Sequence, residues 1–343
     1  MKRLLLFVAK DMGSSNVTLD LALKCVAEGH EVHAVTEGLA SKRYILGGIT
    51  PRFVGTVNFK TEPFTLDVPK MLEALKPDVV VTGLGSPINL EGAFGVVSNA
   101  LGMPLVECED FWNGHSRSAA NPDLLLTLDE YAAELMRKSH PRTTVEIVGN
   151  PGVAGYELAP EVVGLRRHFD RVFVYPGGGD YTTDEIRFLA ACLKQTSHNW
   201  CLIPRFHQKW MKEKNPADGR PYGDMWKEML QEFRERVVYL DSVKVTETIV
   251  AAADGTFSGF STLLTTSAFH NCPTGSLHLP SVMASLKAQA NLNEVPIVKL
   301  GCAHSLAEPV DLAGLAPPPP ENVAKLKPYN VDAAYAALMA VFK

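Results

Sequence analysis

One pattern constrains this chain more than any other. Short runs of consecutive apolar residues alternate with longer segments of helical spacing along most of its length. Residues 3–9 form such a run. Residues 17–28 follow, with apolar side chains at 17, 19, 21, 22, 23, 25 and 26, and Gly29 stands where a helix C-cap would. Residues 31–36 read as the second strand. A helical segment at 68–75 stops at Lys76-Pro77, and the next strand, 78–82, contains Val79-Val80-Val81. Helix 88–100, strand 104–108, strand 122–128 and helix 130–138 continue the series. Strands and helices of these lengths in alternation predict βαβ units and a parallel sheet. Strands apolar at successive positions predict that helices cover both of its faces.

The pattern loosens after residues 145–148 and Gly149-Asn150-Pro151-Gly152, so 151–170 read as an interdomain linker. It restarts with strand 171–175, helix 183–195, strand 200–205, helix 225–234, strand 237–240, helices 245–252 and 262–269, and a last strand at 294–300. The expected fold class is α/β: two Rossmann-like parallel-sheet domains, 1–150 and 171–330, facing across a cleft, with a closing helix at 331–343. A chain of 343 residues suits two domains of roughly 100–200 residues each.

Composition narrows the function classes. Hydrophobic residues make up 46% and charged residues 21%, as in soluble globular proteins. The net charge of −5 gives no basic footprint for nucleic acid. The cationic cluster Lys209-Trp210-Met211-Lys212-Glu213-Lys214 is short, mixed in sign, and reads as solvated surface. Cys25, Cys108, Cys192, Cys201, Cys272 and Cys302 form no C-x-x-C pair and mostly sit in apolar runs. They are expected to be buried reduced thiols of a cytoplasmic protein. The apolar run near Met1 is cut short by Lys10-Asp11, which fits a first strand better than a leader. No stretch approaches the ~20 apolar residues of a membrane span.

In an open parallel sheet the chemistry lies in the loops after the strands. Asp11-Met12-Gly13-Ser14-Ser15-Asn16 places small residues before a helix, either as an anion or hydroxyl site or as a cap by Ser15 or Asn16. Glu107-Cys108-Glu109-Asp110, followed by His115, crowds three carboxylates at a strand end. Mutual repulsion there can raise one of them into the range of a general base, unless the loop is merely solvated. Gly177-Gly178-Gly179 lets the backbone approach a phosphate or makes a tight turn. Arg205 and His207 follow another strand, and Ser258, Ser261 and Thr262 lead into a helix. Together they offer cations and hydroxyls for a diphosphate. No D-x-D pattern suggests a metal.

With these loops in this order the chain resembles the GT-B glycosyltransferase group. The likeness is to the branch of the non-hydrolysing UDP-N-acetylglucosamine 2-epimerases and the CDP-glycerol glycerophosphotransferases. The resemblance spans about residues 1–310. It rests on Val148-Gly149-Asn150-Pro151 as the interdomain segment, on Arg205-Phe206-His207 as a degenerate "HP" loop, and on Ala253-Asp254 through Phe260-Ser261-Thr262 to Cys272-Pro273-Thr274 as the donor motif. Thr266 stands where that motif has a ribose-binding glutamate. Gly177–Asp180 lacks the epimerase histidine, and the epimerase aspartate falls near Gly83-Leu84-Gly85. Glu107 alone survives of those three groups.

The resemblance therefore implies a metal-independent transferase with a nucleotide-sugar substrate, a UDP-sugar before a CMP-sugar, and a hydroxylated acceptor. Gly177, Gly178, Gly179, Arg205, His207, Ser258, Ser261 and Thr262 would hold the donor. Gly13, Ser14 and Asp110 would hold the acceptor. Glu107, Glu109 or His115 would take the acceptor proton. An epimerase or hydrolase and a non-catalytic binding subunit are the alternatives, and homodimerisation stays open.

Overall fold

The computed structural model describes residues 1–55, 66–84 and 89–342. Two compact units emerge, Met1–Pro151 with Lys327–Lys343 and Gly152–Leu326.

The first unit contains strands β1 (Leu4–Ala9), β2 (Glu31–Glu37), β3 (Phe53–Gly55), β4 (Val79–Thr82), β5 (Leu105–Cys108), β6 (Leu124–Thr127) and β7 (Thr144–Ile147). They form a parallel sheet in the order β3-β2-β1-β4-β5-β6-β7. Its helices are α1 (Met12–Ala27), α2 (Gly38–Leu46), α3 (Val68–Leu75), α4 (Leu90–Ala100) and α5 (Glu130–Ser139). One face buries Leu5, Phe7, Val79 and Val81 against Leu21 and Ala22 of α1. The other buries Leu6, Val8 and Val80 against Leu72 and Phe94 of α3 and α4. Both faces are covered, which is why these strands carry apolar residues at successive positions.

The second unit holds α6 (Pro160–Leu165), β8 (Arg171–Tyr175), α7 (Thr182–Gln195), β9 (Trp200–Pro204), α8 (Gln208–Lys212), α9 (Tyr222–Met229), α10 (Thr246–Ala252) and β10 (Gly255–Ser258). It continues through α11 (Leu263–Phe269), β11 (Thr274–Leu277), α12 (Pro280–Ala290), α13 (Pro296–Lys299), β12 (His304–Leu306) and α14 (Pro320–Val323). Its parallel sheet runs β12-β11-β10-β8-β9.

The structure revises several sequence boundaries. The stretch expected as a linker, 151–170, carries α6, whose Val162 is fully buried in the second unit's core with Ala159. The closing helix, α15 (Val331–Ala340), belongs to the first unit, where Ala334 and Leu338 join the α1 face of the core. The chain returns there through hydrogen bonds from Asn150 N to Lys327 O and from Asn330 N to Val148 O, each 2.7 Å. Residues 237–240 contribute one isolated bridge, Leu202 to Val237. The strand expected at 294–300 is instead α13, opened by Pro296 at its start, and the edge strand is β12. All six cysteines are buried. Among the described residues no helix is long and apolar enough to cross a membrane.

Candidate functional site

Ligand crevices in open parallel sheets open beyond the carboxyl ends of the strands, where the strand order reverses. In the first unit the reversal falls between β1 and β4. Asp11 ends the β1 loop and caps α1, accepting the Ser14 amide at 3.1 Å. Ser14 Oγ accepts the Lys10 and Asp11 amides at 3.1 Å each. The capping box is thus built by Asp11 and Ser14, not by Ser15 or Asn16. Close approach explains two glycines here. A Cβ on Gly13 would stand 2.0 Å from Asp110 Oδ2, and one on Gly83 would stand 2.2 Å from Ser14 Cβ. The structure therefore brings Gly13, Ser14 and Asp110 together, with half-buried Asp110 at the positive end of α1. Gly85, near the place of the epimerase aspartate, lies outside the described residues.

Glu91, on α4, reaches the loop after β1. It is 2% exposed and accepts the Lys10 amide at 3.0 Å. Burial, reinforced by the charges of Asp11 and Asp110, pushes its carboxyl up to about 8.

The acidic loop after β5 is not solvated. Glu107 and Glu109 are 3% and 2% exposed. Glu107 Oε2 lies 2.5 Å from His115 Nδ1, and the Ser118 hydroxyl donates to Oε1 at 2.8 Å. His115 Nε2 lies 3.1 Å from Nε2 of half-buried His140, which burial and then His115 hold below the usual histidine range. Glu109 accepts from the Thr127 hydroxyl and, at 3.1 Å, from the Gly114 amide. Burial, with Asp110 and Asp129 adding to it, raises Glu109 to about 8. Each oxygen of Glu107 and Glu109 is engaged, so these carboxylates and His115 hold residues 109–118 in shape. Asp110 is the member of the loop that reaches the start of α1.

In the second unit the reversal falls between β8 and β10. The loops after β8, β9 and β10 are tied together there. His207 N donates to Gly177 O at 2.8 Å, and Ser258 Oγ donates to Pro176 O at 2.7 Å. None of Gly177, Gly178 and Gly179 has positive φ. Close neighbours explain two of them: a Cβ would meet Phe206 and Tyr175 at 3.0 Å from Gly177, and the Tyr181 ring at 2.2 Å from Gly179. Gly178 is half-buried, and among the described residues the amides of Gly177 and Gly178 donate to nothing. They sit just ahead of α7, whose N-terminus favours an anion. Exposed His207, half-buried Ser261 and exposed Thr262 lie on the flanking loops. Thr262 makes no side-chain cap on α11.

Arg205 departs from its expected role. Its guanidinium donates to Leu240 O at 2.8 Å, Val243 O at 3.0 Å and Thr246 Oγ1 at 3.1 Å, so it organises residues 240–246. Thr266, where a ribose glutamate was sought, is buried and donates to Gly152 O at 2.8 Å.

Sequence reasoning missed Glu185. This fully buried residue of α7 accepts the Tyr175 hydroxyl at 2.8 Å and the Gly259 amide. Burial pushes its carboxyl up to about 7. Its signal was spacing: positions 182, 185, 186, 189 and 193 make one buried stripe, with an acid in the middle. Glu91 sits likewise among buried Leu90, Phe94, Gly95 and Ser98.

No family model matches the chain, and no curated protein sequence matches it. Solved structures match it almost end to end. The UDP-N-acetylglucosamine 2-epimerase of Neisseria meningitidis, solved bound to UDP-N-acetylglucosamine, aligns with TM-score 0.63 at 11% identity over 99% of each chain. The calicheamicin glycosyltransferase aligns with TM-score 0.60 at 13% identity over 99% of this chain and 98% of that one. A glycosyltransferase from Rickettsia africae aligns with TM-score 0.58 at 10% identity over 100% and 94%. At these identities the shared property is the fold: two Rossmann-like parallel-sheet domains of the GT-B type.

Proposed function

We propose that the chain is a glycosyltransferase that uses a nucleotide-activated sugar, a UDP-sugar first among the candidates, with no resident metal or cofactor. The observation that carries this reading is the second unit's switch point. There the amides of buried Gly177 and half-buried Gly178, unbonded among the described residues, precede α7, a Cβ on Gly178 would stand 3.4 Å from His207, and Ser261 and Thr262 follow β10. Backbone donors and hydroxyls of this kind suit a diphosphate. Fold neighbours that are glycosyltransferases, and one bound to UDP-N-acetylglucosamine, support the choice of donor class.

The acceptor belongs at Gly13, Ser14 and Asp110. Transfer requires loss of a hydroxyl proton, and Asp110 is its receiver in this reading. With Glu109 raised to about 8, that neighbour is mostly protonated at pH 7 and does not compete for the proton. Glu107 and His115 act by holding the loop.

Epimerisation is the competing chemistry, and product analysis separates the two. The protein is incubated with UDP-N-acetylglucosamine, with and without a panel of hydroxylated acceptors. Acceptor-dependent release of UDP supports transfer. Conversion to the C2 epimer without acceptor replaces the reading with an epimerase. No thermal stabilisation by UDP, CDP, GDP or CMP at 100 times an assumed dissociation constant, where about 2.7 kcal/mol is expected, removes the nucleotide altogether.

A further inference from the structure

We infer that Glu185 is a positioning residue for the donor site: its ionised carboxylate ties the loop after β10 to the end of β8, and its protonation loosens that tie. The inference rests on the nucleotide reading above only for what the loop binds.

The geometry is specific. Glu185 lies one turn inside α7, the helix that follows β8. Its carboxylate accepts the hydroxyl of Tyr175, the last residue of β8, and the amide of Gly259, the first residue after β10. Gly259 is held on its other side by Ser276 Oγ, which donates to Gly259 O at 2.6 Å. No larger residue fits there: a Cβ on Gly259 would stand 2.7 Å from Val282 and 2.8 Å from Glu185. The peptide that starts the Ser261–Thr262 turn is therefore fixed by one carboxylate and one hydroxyl.

Both donors require an acceptor, and the ionised carboxylate offers two oxygens. Protonation converts one oxygen to a donor and weakens the remaining bond, since charge-assisted hydrogen bonds are roughly twice as strong as neutral ones. Tyr175 has an alternative acceptor, the Thr182 carbonyl at 3.3 Å. The titratable groups facing Glu185 are Tyr175 from β8 and Tyr181 from the start of its own helix; burial raises both hydroxyls, so both stay neutral. From the β10 side it meets the Gly259 backbone, and Val282 of α12 lies beyond. With the carboxyl raised by burial to about 7, the tie changes strength within the physiological range. If only the ionised form binds donor, the competent fraction falls from about nine-tenths at pH 8 to one-tenth at pH 6, and affinity falls about tenfold with it.

The sequence supplies a clean probe. Ser258-Gly259 is the chain's one Ser-Gly dipeptide. Labelling the full-length protein with carbonyl-13C serine and 15N glycine therefore leaves a single correlated signal, the Gly259 amide. In the wild type this signal should titrate with a midpoint near pH 7, moving upfield as pH falls, and in Glu185→Gln it should be flat. Binding of UDP-N-acetylglucosamine, whose esterified diphosphate does not titrate in this range, should weaken about tenfold between pH 8 and pH 6 in the wild type. In Glu185→Gln it should be uniformly weak. A Gly259 signal that stays flat in the wild type overturns the tie. A titrating signal with pH-independent binding overturns its role in donor positioning. Titration without any nucleotide binding sinks the proposed function and leaves the tie standing.

Discussion

Glu91→Gln should stabilise the protein at pH 8 and leave it nearly unchanged at pH 4.5. Glu91 is 2% exposed, and its carboxyl is raised from 4.5 to about 8 by burial and by Asp11 and Asp110. In the unfolded chain the same group ionises near its ordinary value of 4.5. The folded protein therefore retains a proton that the unfolded chain gives up. The stability linked to that proton is complete below the unfolded value and is lost as pH rises through 8. The interval from 4.5 to about 8 is about 3.5 units, and at about 1.4 kcal/mol per unit the full loss is on the order of 5 kcal/mol. Glutamine keeps the shape, still accepts the Lys10 amide now held at 3.0 Å, and cannot ionise. Urea unfolding of both proteins at pH 4.5, 6, 7 and 8 measures the effect. The expected difference is about 0.5 kcal/mol at the lowest pH and grows to on the order of 4 kcal/mol at pH 8. Parallel pH dependences in the two proteins would refute the argument, because a group that cannot titrate cannot share the slope.

Other substitutions test the remaining geometry. Arg205→Ala removes three hydrogen bonds to residues 240–246 and should cost about 2–4 kcal/mol in urea unfolding, since bonds to charged groups contribute ~1.5–3 kcal/mol each and a half-buried site regains some from water; unchanged stability would contradict the assigned role. Gly149→Ala places a Cβ 2.0 Å from Pro328 O at a residue with φ of 93°, so it should cost more than about 3 kcal/mol and expose residues 327–343 to protease, and a loss below about 1 kcal/mol would be incompatible with that collision. Thr262→Val should leave stability within ~0.5 kcal/mol, because Thr262 makes no cap, while weakening UDP-sugar binding at least about fivefold if the hydroxyl meets phosphate; the reverse pattern would return Thr262 to a cap.

Architecture was legible where it depended on apolar pattern. Val79–Val81 and the runs at 4–9 and 171–175 had to be covered strands, and they are. Two of the strands that escaped, Gly255–Ser258 and Thr274–Leu277, are mostly small and polar, yet their residues are buried because Thr274 and Ser276 pair their hydroxyls with Ser267 and Gly259. A hydropathy pattern does not register such strands. At the sites, sequence located the loops but not the direction of each side chain. Arg205 had the right chemistry for phosphate, and its carbonyl partners come from a loop 35 to 38 residues further on. Glu107 and Glu109 had the right chemistry for a base, but Ser118, His115, Gly114 and Thr127 occupy their oxygens.

The two residues that sequence reading passed over bridge the switch point of each unit, from opposite sides. Glu91 belongs to α4, which follows β4, and accepts an amide from the loop after β1; those are the first unit's switch strands. Glu185 belongs to α7, which follows β8, and accepts an amide from the loop after β10, across the second unit's switch. The fold creates the need. Where strand order reverses, neighbouring chains leave toward opposite faces, and a loop amide at the gap has no strand beside it to accept its hydrogen bond. A buried amide without an acceptor costs about 1–3 kcal/mol; at Gly259 the Glu185 carboxylate is the acceptor, and at Lys10 Glu91 shares the amide with Ser14 Oγ. Removing the carboxylate from water is expensive in turn, which is why both carboxyls are raised, to about 8 and about 7. Each switch point thus holds a carboxyl whose charge changes closer to neutral pH than that of an ordinary glutamate. The loops after β1 and β10 are accordingly held by groups that titrate, through the hydrogen bonds at Lys10 and Gly259.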